Sequence, residues 1–134
     1  MSTRCQVKVV SKDFEKGTAI TLYHHCDGYP SNMVPLIASA YRPDWQHGRV
    51  GKVAAFLCAA DPGGFEPEEG HDLHGDIEWY YIIQISSKGH IEDIPTWNLV
   101  VYDVPCDARN VGSMKKVFVG PIEDAVKLAD KMEG

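Results

Sequence analysis

Four side chains from the first thirty residues could form one polar site: Arg4, His25, Asp27 and Tyr29. His25 and Asp27 are two residues apart, so on an extended segment they share a face. Asp27-Gly28 permits a turn, and Pro30 holds Tyr29 extended ahead of a helix. A strand-to-helix junction of this kind aims backbone amides at whatever lies in front of it, a natural place for an anion. Arg4 reaches the same place if its strand runs alongside. The other use of these residues is a buried network in which Arg4 pairs with Asp27 and His25 fills a hydrogen-bonding need, and this is the commoner arrangement.

A second constellation is His71-Asp72-Leu73-His74, with Glu68, Glu69 and Asp76 close by. Imidazole and carboxylate ligands suit zinc or a similar divalent ion, and His71 and His74 converge if the stretch forms a helical turn, with His24 or His25 completing the set. Gly70 and Gly75 bracket the pair, however, and most acidic loops containing histidine are solvated surface. A divalent metal is therefore the candidate cofactor, and the simpler reading has none. The same carboxylates could hold adventitious calcium. Cys5, Cys26, Cys58 and Cys106 include no closely spaced pair of the kind structural zinc sites present, and they are expected as free thiols. Cys26 beside His25 invites a thiol–imidazole pair, but neighbours on a strand point to opposite faces. The chain has no G-x-S-x-G elbow, phosphate-binding loop, dinucleotide fingerprint or H-E-x-x-H motif.

These residues are positioned by elements that the hydrophobic pattern makes visible. Gln6–Val10 and Ala19–His25 alternate as strands and predict an N-terminal hairpin. A four-residue loop, Phe14–Gly17, places Cys5 opposite Cys26 and Arg4 opposite Asp27; a three-residue loop shifts the pairing by one and exchanges the faces. Met33, Leu36, Ile37 and Ala40 follow helical spacing, with Ser31 or Asn32 as the cap and Pro43 as the stop. A second helix runs from about Val50 to Ala60, with Val53, Ala54 and Leu57 inward, and Pro62-Gly63-Gly64 ends it.

The stretch Asp61–Glu78 holds seven carboxylates and no Lys or Arg, and reads as a surface loop. Ile77–Ile85 and Thr96–Val104 are strands expected to pair antiparallel, and Lys115–Val119 is a short last strand. Gly120-Pro121 opens a final helix whose buried stripe is Ile122, Ala125, Val126, Ala129 and Met132. The order ββαα-ββ-βα predicts an α+β fold in a single domain spanning residues 1–134. Its core would be an antiparallel sheet of about five strands, with two to three helices packed mainly on one face. On the other face Tyr80, Ile82, Val100 and Tyr102 would then line an aromatic association surface, unless the second helix covers them.

The segment Tyr23-x-His25-x-Asp27-Gly28-Tyr29-Pro30, with the opening Met1-x-Thr3-Arg4, resembles a family of small uncharacterised phage- and prophage-associated bacterial proteins that carry M-x-T-R and Y-x-H-x-D-G-Y-P. The acidic-aromatic run Asp76–Tyr81 is similar to a later segment of some members, and Cys26 departs from the usual residue there. The resemblance covers about half of the chain and implies a mobile-element setting, with no activity attached.

With 134 residues, 44% hydrophobic and 24% charged, the chain is long enough for one core and apolar enough to exclude disorder. A net charge of −6 speaks against a nucleic-acid backbone binder. No apolar run is long enough to span a membrane, and the N-terminus lacks the apolar core of a secretory signal, so a cytoplasmic protein is expected. Together these features predict a non-enzymatic accessory protein acting by association, as a homodimer or with a host or phage protein, without nucleic acid or membrane. The alternative is a small-ligand or metal-binding enzyme built on Arg4, His25, Asp27 and Tyr29.

Overall fold

The structure, a computed structural model, describes residues 3–11, 18–41, 49–68, 76–86, 96–105 and 111–133. Its elements are β1 (Cys5–Ser11), β2 (Ala19–His24), α1 (Pro30–Ser39), α2 (Val50–Ala60), β3 (Phe65–Pro67), β4 (Trp79–Ser86), β5 (Thr96–Asp103), β6 (Lys115–Pro121) and α3 (Ile122–Leu128). A 3-10 turn at Ala129–Glu133 continues α3. The expected α+β class holds: the strands form one six-stranded sheet in the order β3-β2-β1-β4-β5-β6. All neighbours are antiparallel except β1 and β4, which run parallel because the helical segment crosses over between them.

Alternation along the strands sorts the residues onto two faces. Cys5, Val7, Val9, Leu22, Tyr81, Ile83, Ile85, Leu99 and Val101 face the three helices and join Met33, Ile37, Val53, Leu57, Ile122 and Ala125 in the main core. Burying each large aliphatic chain stabilises the fold by about 1.5–3 kcal/mol, against the cost of ordering it. Helix α2 lies over β1, β2 and β3; α1 packs against α2, α3 and the C-terminal turn; α3 covers β5 and β6. The inward residues expected for α2 are the buried ones, and Pro62-Gly63 does end it. The expected stripe of α3 holds except at Val126, which is 45% exposed.

Three local expectations are corrected. The hairpin register is neither of the two foreseen: Cys5 pairs with His24 and Val10 with Ala19, and the Ser11 amide donates to Thr18 O at 3.4 Å. This lies two residues from the four-residue-loop alternative, so the same faces meet. Helix α1 starts at Pro30 with Tyr29 as its cap residue and no side-chain cap, rather than at Ser31 or Asn32. Within the acidic segment, Phe65–Pro67 is a strand, β3, paired with Leu22–His24 of β2, because the edge of β2 offers unpaired backbone groups there.

On the opposite face of the sheet, Tyr23, Ile77, Tyr80 and Val104 form a smaller cluster, with Ile82, Tyr102 and Met114 packed on it. The expected association surface is therefore largely closed: Tyr80 and Val100 are 4% exposed within the single chain, while Ile82 and Tyr102 are half-buried. Tyr80 stacks on its cross-strand partner Tyr102 at 6.0 Å, and the Lys116 ammonium lies over the Tyr102 ring. Helix α2 does not cover these residues, since it lies on the other face. Among the described residues no helix is long and apolar enough to cross a membrane.

Candidate functional site

The junction between β2 and α1 is pinned from two sides. The Gly28 amide donates to Thr3 O at 2.9 Å, and the buried Tyr81 hydroxyl donates to Gly28 O at 2.6 Å. A Cβ at position 28 would sit 2.9 Å from Cys5 Cβ and 3.0 Å from Thr3 O, so the close approach requires glycine. Just before it Asp27 takes φ 54, a left-handed conformation that aspartate tolerates better than most residues. The Asn32 side-chain amide donates to Asp27 O at 2.7 Å, and the Tyr29 hydroxyl donates to the Asp27 carboxylate at 3.2 Å.

Of the four residues expected to share a pocket, the structure joins only Asp27 and Tyr29. Arg4 pairs with Asp76 at 3.5 Å, both side chains being about half exposed, and the Tyr23 hydroxyl donates to the same Asp76 oxygen at 2.9 Å. The parallel β1–β4 pairing causes this, because it brings the residues leading into β4 alongside Arg4; the Glu78 amide donates to Arg4 O. His25 lies on the face away from the main core, its ring edge-on to Tyr23 and its Nε2 3.0 Å from the Glu66 carboxylate. His25 and Asp27 do not share a face, because β2 ends at His24 and the left-handed turn at Asp27 breaks the alternation. His71 and His74 lie outside the described residues. Among the described residues no group of three metal-ligating side chains could hold an ion.

A different pair occupies the helix-covered face. His24 Nε2 stands 2.7 Å from Asp61 Oδ2, with the His24 side chain 4% exposed and that of Asp61 38% exposed. Each partner is placed by an identifiable local cause. His24 follows Leu22 in the inward alternation of β2, and its ring meets that of Phe65, its cross-strand partner, edge-on at 4.7 Å. Asp61 ends α2, its amide donating to Leu57 O, and it opens the turn Asp61-Pro62-Gly63-Gly64. Proline second, glycine third at φ +83 and a Gly64 amide donating to Asp61 O at 3.0 Å are the features of a type II turn. That turn delivers the chain directly into β3, so pairing β3 with β2 carries Asp61 to His24. A Cβ at Gly64 would overlap the Asp61 carboxylate and come within 2.9 Å of His24 Nε2.

With Nε2–H donating to Asp61, His24 Nδ1 is left as a bare acceptor. It is buried and has no hydrogen-bond partner among the described residues. The carboxylate opposite holds the ring in that tautomer. The pair borders an open cleft of about 520 Å³ that is also lined by Cys26, Asp27, Asn32, Leu36, Ala60 and the 62–64 turn. Cys26 is exposed there as a free thiol and makes no hydrogen bond to His24. The cleft lies at the Asp27 turn, where a site was expected, yet its imidazole is that of His24. The signals for it were the inward alternation at Leu22 and His24 and the Asp-Pro-Gly-Gly run after α2; their pairing could not be read without β3.

Comparison of the chain with known protein families, curated proteins and solved structures gives no match.

Proposed function

We propose that this chain is a small-ligand-binding protein whose site is the cleft at the β2–α1 junction, with the His24–Asp61 pair as its polar centre. The observation that carries this reading is an open cavity of about 520 Å³ bordered by the imidazole–carboxylate pair His24–Asp61. The cavity volume falls in the range of about 300–1,000 Å³ typical of small-molecule sites. The pinned turn and the two glycine positions hold the site in place before any ligand arrives, which lowers the ordering cost of binding. We read binding rather than turnover, because Cys26, the thiol among the described residues at the cleft, is not hydrogen-bonded to the imidazole. A phage- or prophage-type setting is what the resemblance of the Tyr23–Pro30 segment implies.

The test is a fragment screen by thermal shift on the wild-type chain and on Ala60→Phe, which fills the cleft from its wall and leaves His24 and Asp61 intact. Fragments that raise the wild-type melting temperature and leave that of Ala60→Phe unchanged support the reading. A screen without hits, or hits that act equally on both proteins, overturns it.

A second reading, association as a homodimer or with a host or phage protein, is favoured by a different place from the one expected. Strand β6 is the last in the sheet, Val119 on it is 60% exposed, and it borders a shallow groove with Phe118, Pro121 and Leu128. An exposed edge with apolar side chains is a template for pairing. Light scattering after size exclusion tests it: a dimer that becomes monomeric in Val119→Lys supports association, and a strict monomer contradicts the homodimer.

A further inference from the structure

We infer that the β6 edge takes a second copy of this chain, the two β6 strands pairing antiparallel about a two-fold axis at Val119. This deepens the association reading of that edge and rests on it. Among the described residues β6 is the last strand of the sheet, and Val119 on it is 60% exposed. A two-fold interface has to be self-complementary, because both copies use the same patch. Pairing about Val119 sets valine against valine, and sets Phe118 against Gly120, which has no side chain to obstruct the ring. It also sets the beginning of each strand against the end of the other.

Charge decides the direction of the pair. Lys115 opens β6, and Asp124 stands in the first turn of α3, just after the strand ends. Asp124 borders the groove with Phe118 and Leu128, and Lys127 lines it one turn further along α3. An irregularity in the pairing of β5 with β6 leaves Phe118 opposite Val101 and Lys116 opposite Tyr102, with Val117 as the extra residue. Lys115 therefore falls on the face that α3 covers, while the Lys116 ammonium lies over the Tyr102 ring on the other. Lys115 and Asp124 are both exposed, and among the described residues neither forms an ion pair within the chain. They flank Val119 on the same face of the sheet, one before it and one after, so the two-fold brings lysine to aspartate twice. A parallel pair of β6 strands would set lysine against lysine, which is destabilising.

The experiment is light scattering after size exclusion, run over a range of concentrations on the wild type, Lys115→Glu, Asp124→Lys, an equimolar mixture of those two variants, and Val119→Lys. Both charged positions are exposed, so neither reversal disturbs the core, and far-UV circular dichroism checks that each variant is folded. The expected result is a wild-type dimer whose formation is about tenfold weaker in Lys115→Glu and in Asp124→Lys. The mixture is expected to regain wild-type strength, because each contact between the two variants again joins opposite charges. A dimer lost in Val119→Lys but indifferent to either reversal, or weakened by both and not restored by mixing, overturns the pairing about Val119 and leaves association at this edge standing. A dimer that Val119→Lys leaves intact overturns the inference and moves association to another surface. A wild-type chain that is monomeric throughout overturns the inference and the homodimer reading together.

Discussion

His24 and Asp61 stand 2.7 Å apart although 37 positions separate them in the chain. The contact exists because three things coincide: the inward alternation of β2, the end of α2 and the pairing of β3 onto β2. Each is separately weak, and their coincidence puts an imidazole and a carboxylate at the wall of a cleft.

Gly64 is the position on which this contact depends. Gly64→Ala places a methyl group in the space of the Asp61 carboxylate and drives it from His24. The buried Nε2 then loses Asp61, its partner among the described residues, at a cost of about 1–3 kcal/mol. Gly63→Ala is the control: among the described residues nothing lies within 4 Å of its Cβ, and the strain there comes from the φ of +83. Urea denaturation of both variants is expected to show the larger loss for Gly64→Ala, together with loss of any fragment binding that Gly63→Ala retains.

Tyr81→Phe removes the 2.6 Å bond to Gly28 O and leaves a buried carbonyl without its donor. The expected destabilisation is about 1–2 kcal/mol by urea denaturation, with faster amide exchange confined to the β2–α1 junction. A stability change of that size with unchanged exchange at Gly28 and Asn32 would argue that the hydroxyl does not pin the turn.

Glu133 caps α1 from the far end of the chain. Its carboxylate accepts from the Ser31 amide, one of the groups a helix start leaves unsatisfied, and its charge opposes the helix dipole favourably. Because Glu133 is exposed, the effect is modest: Glu133→Ala is expected to cost about 0.5–1 kcal/mol. Added salt should shrink that difference, and thermal or urea unfolding at two ionic strengths measures it.

The aromatic cluster on the other face sets a high-pH limit. The Tyr23 and Tyr80 phenols are pushed up from 10.0 to about 12, by burial first and, for Tyr23, also by its hydrogen bond to Asp76. Folding therefore favours their protonated forms. The stability this confers is fully present below pH 10, where unfolded tyrosine is also neutral, and is lost as pH rises through the folded value near 12. Spectrophotometric titration of phenolate should show these two ionising late, and the tyrosine part of the loss in unfolding free energy should begin only above about pH 10, after the earlier loss from the Cys5 thiol that burial raises above its ordinary 9.0. Stability that declines already between pH 8 and 10 in step with tyrosine ionisation would contradict the assignment.

The strands and helices were legible where side-chain alternation and breakers agree, as at Val53, Ala54 and Leu57 followed by Pro62-Gly63-Gly64. Hairpin register was not, and the reason is general: alternation specifies a register only modulo two, so Cys5 opposite Cys26 and Cys5 opposite His24 satisfy the core equally. The partner of Arg4 was illegible for a different reason. It depends on the parallel pairing of β1 with β4, a contact between segments far apart in the chain. β3 is three residues long in an acidic stretch, too short for periodicity to register, and with it went the route by which Asp61 reaches His24. The neighbourhood of Asp27 was read from turn chemistry, yet the choice of imidazole turned on where β2 stops. One residue of difference separates His24, facing the helices, from His25, facing Glu66.

The most direct test of the central claim is a map of backbone amide shifts upon addition of the strongest fragment found by thermal shift. The account predicts changes clustered at His24, Cys26, Asp27, Asn32, Gly63 and Gly64, and their disappearance in Ala60→Phe. Changes centred instead on Phe118, Val119 and Leu128 at the β6–α3 edge, with the residues around His24 unmoved, would contradict it.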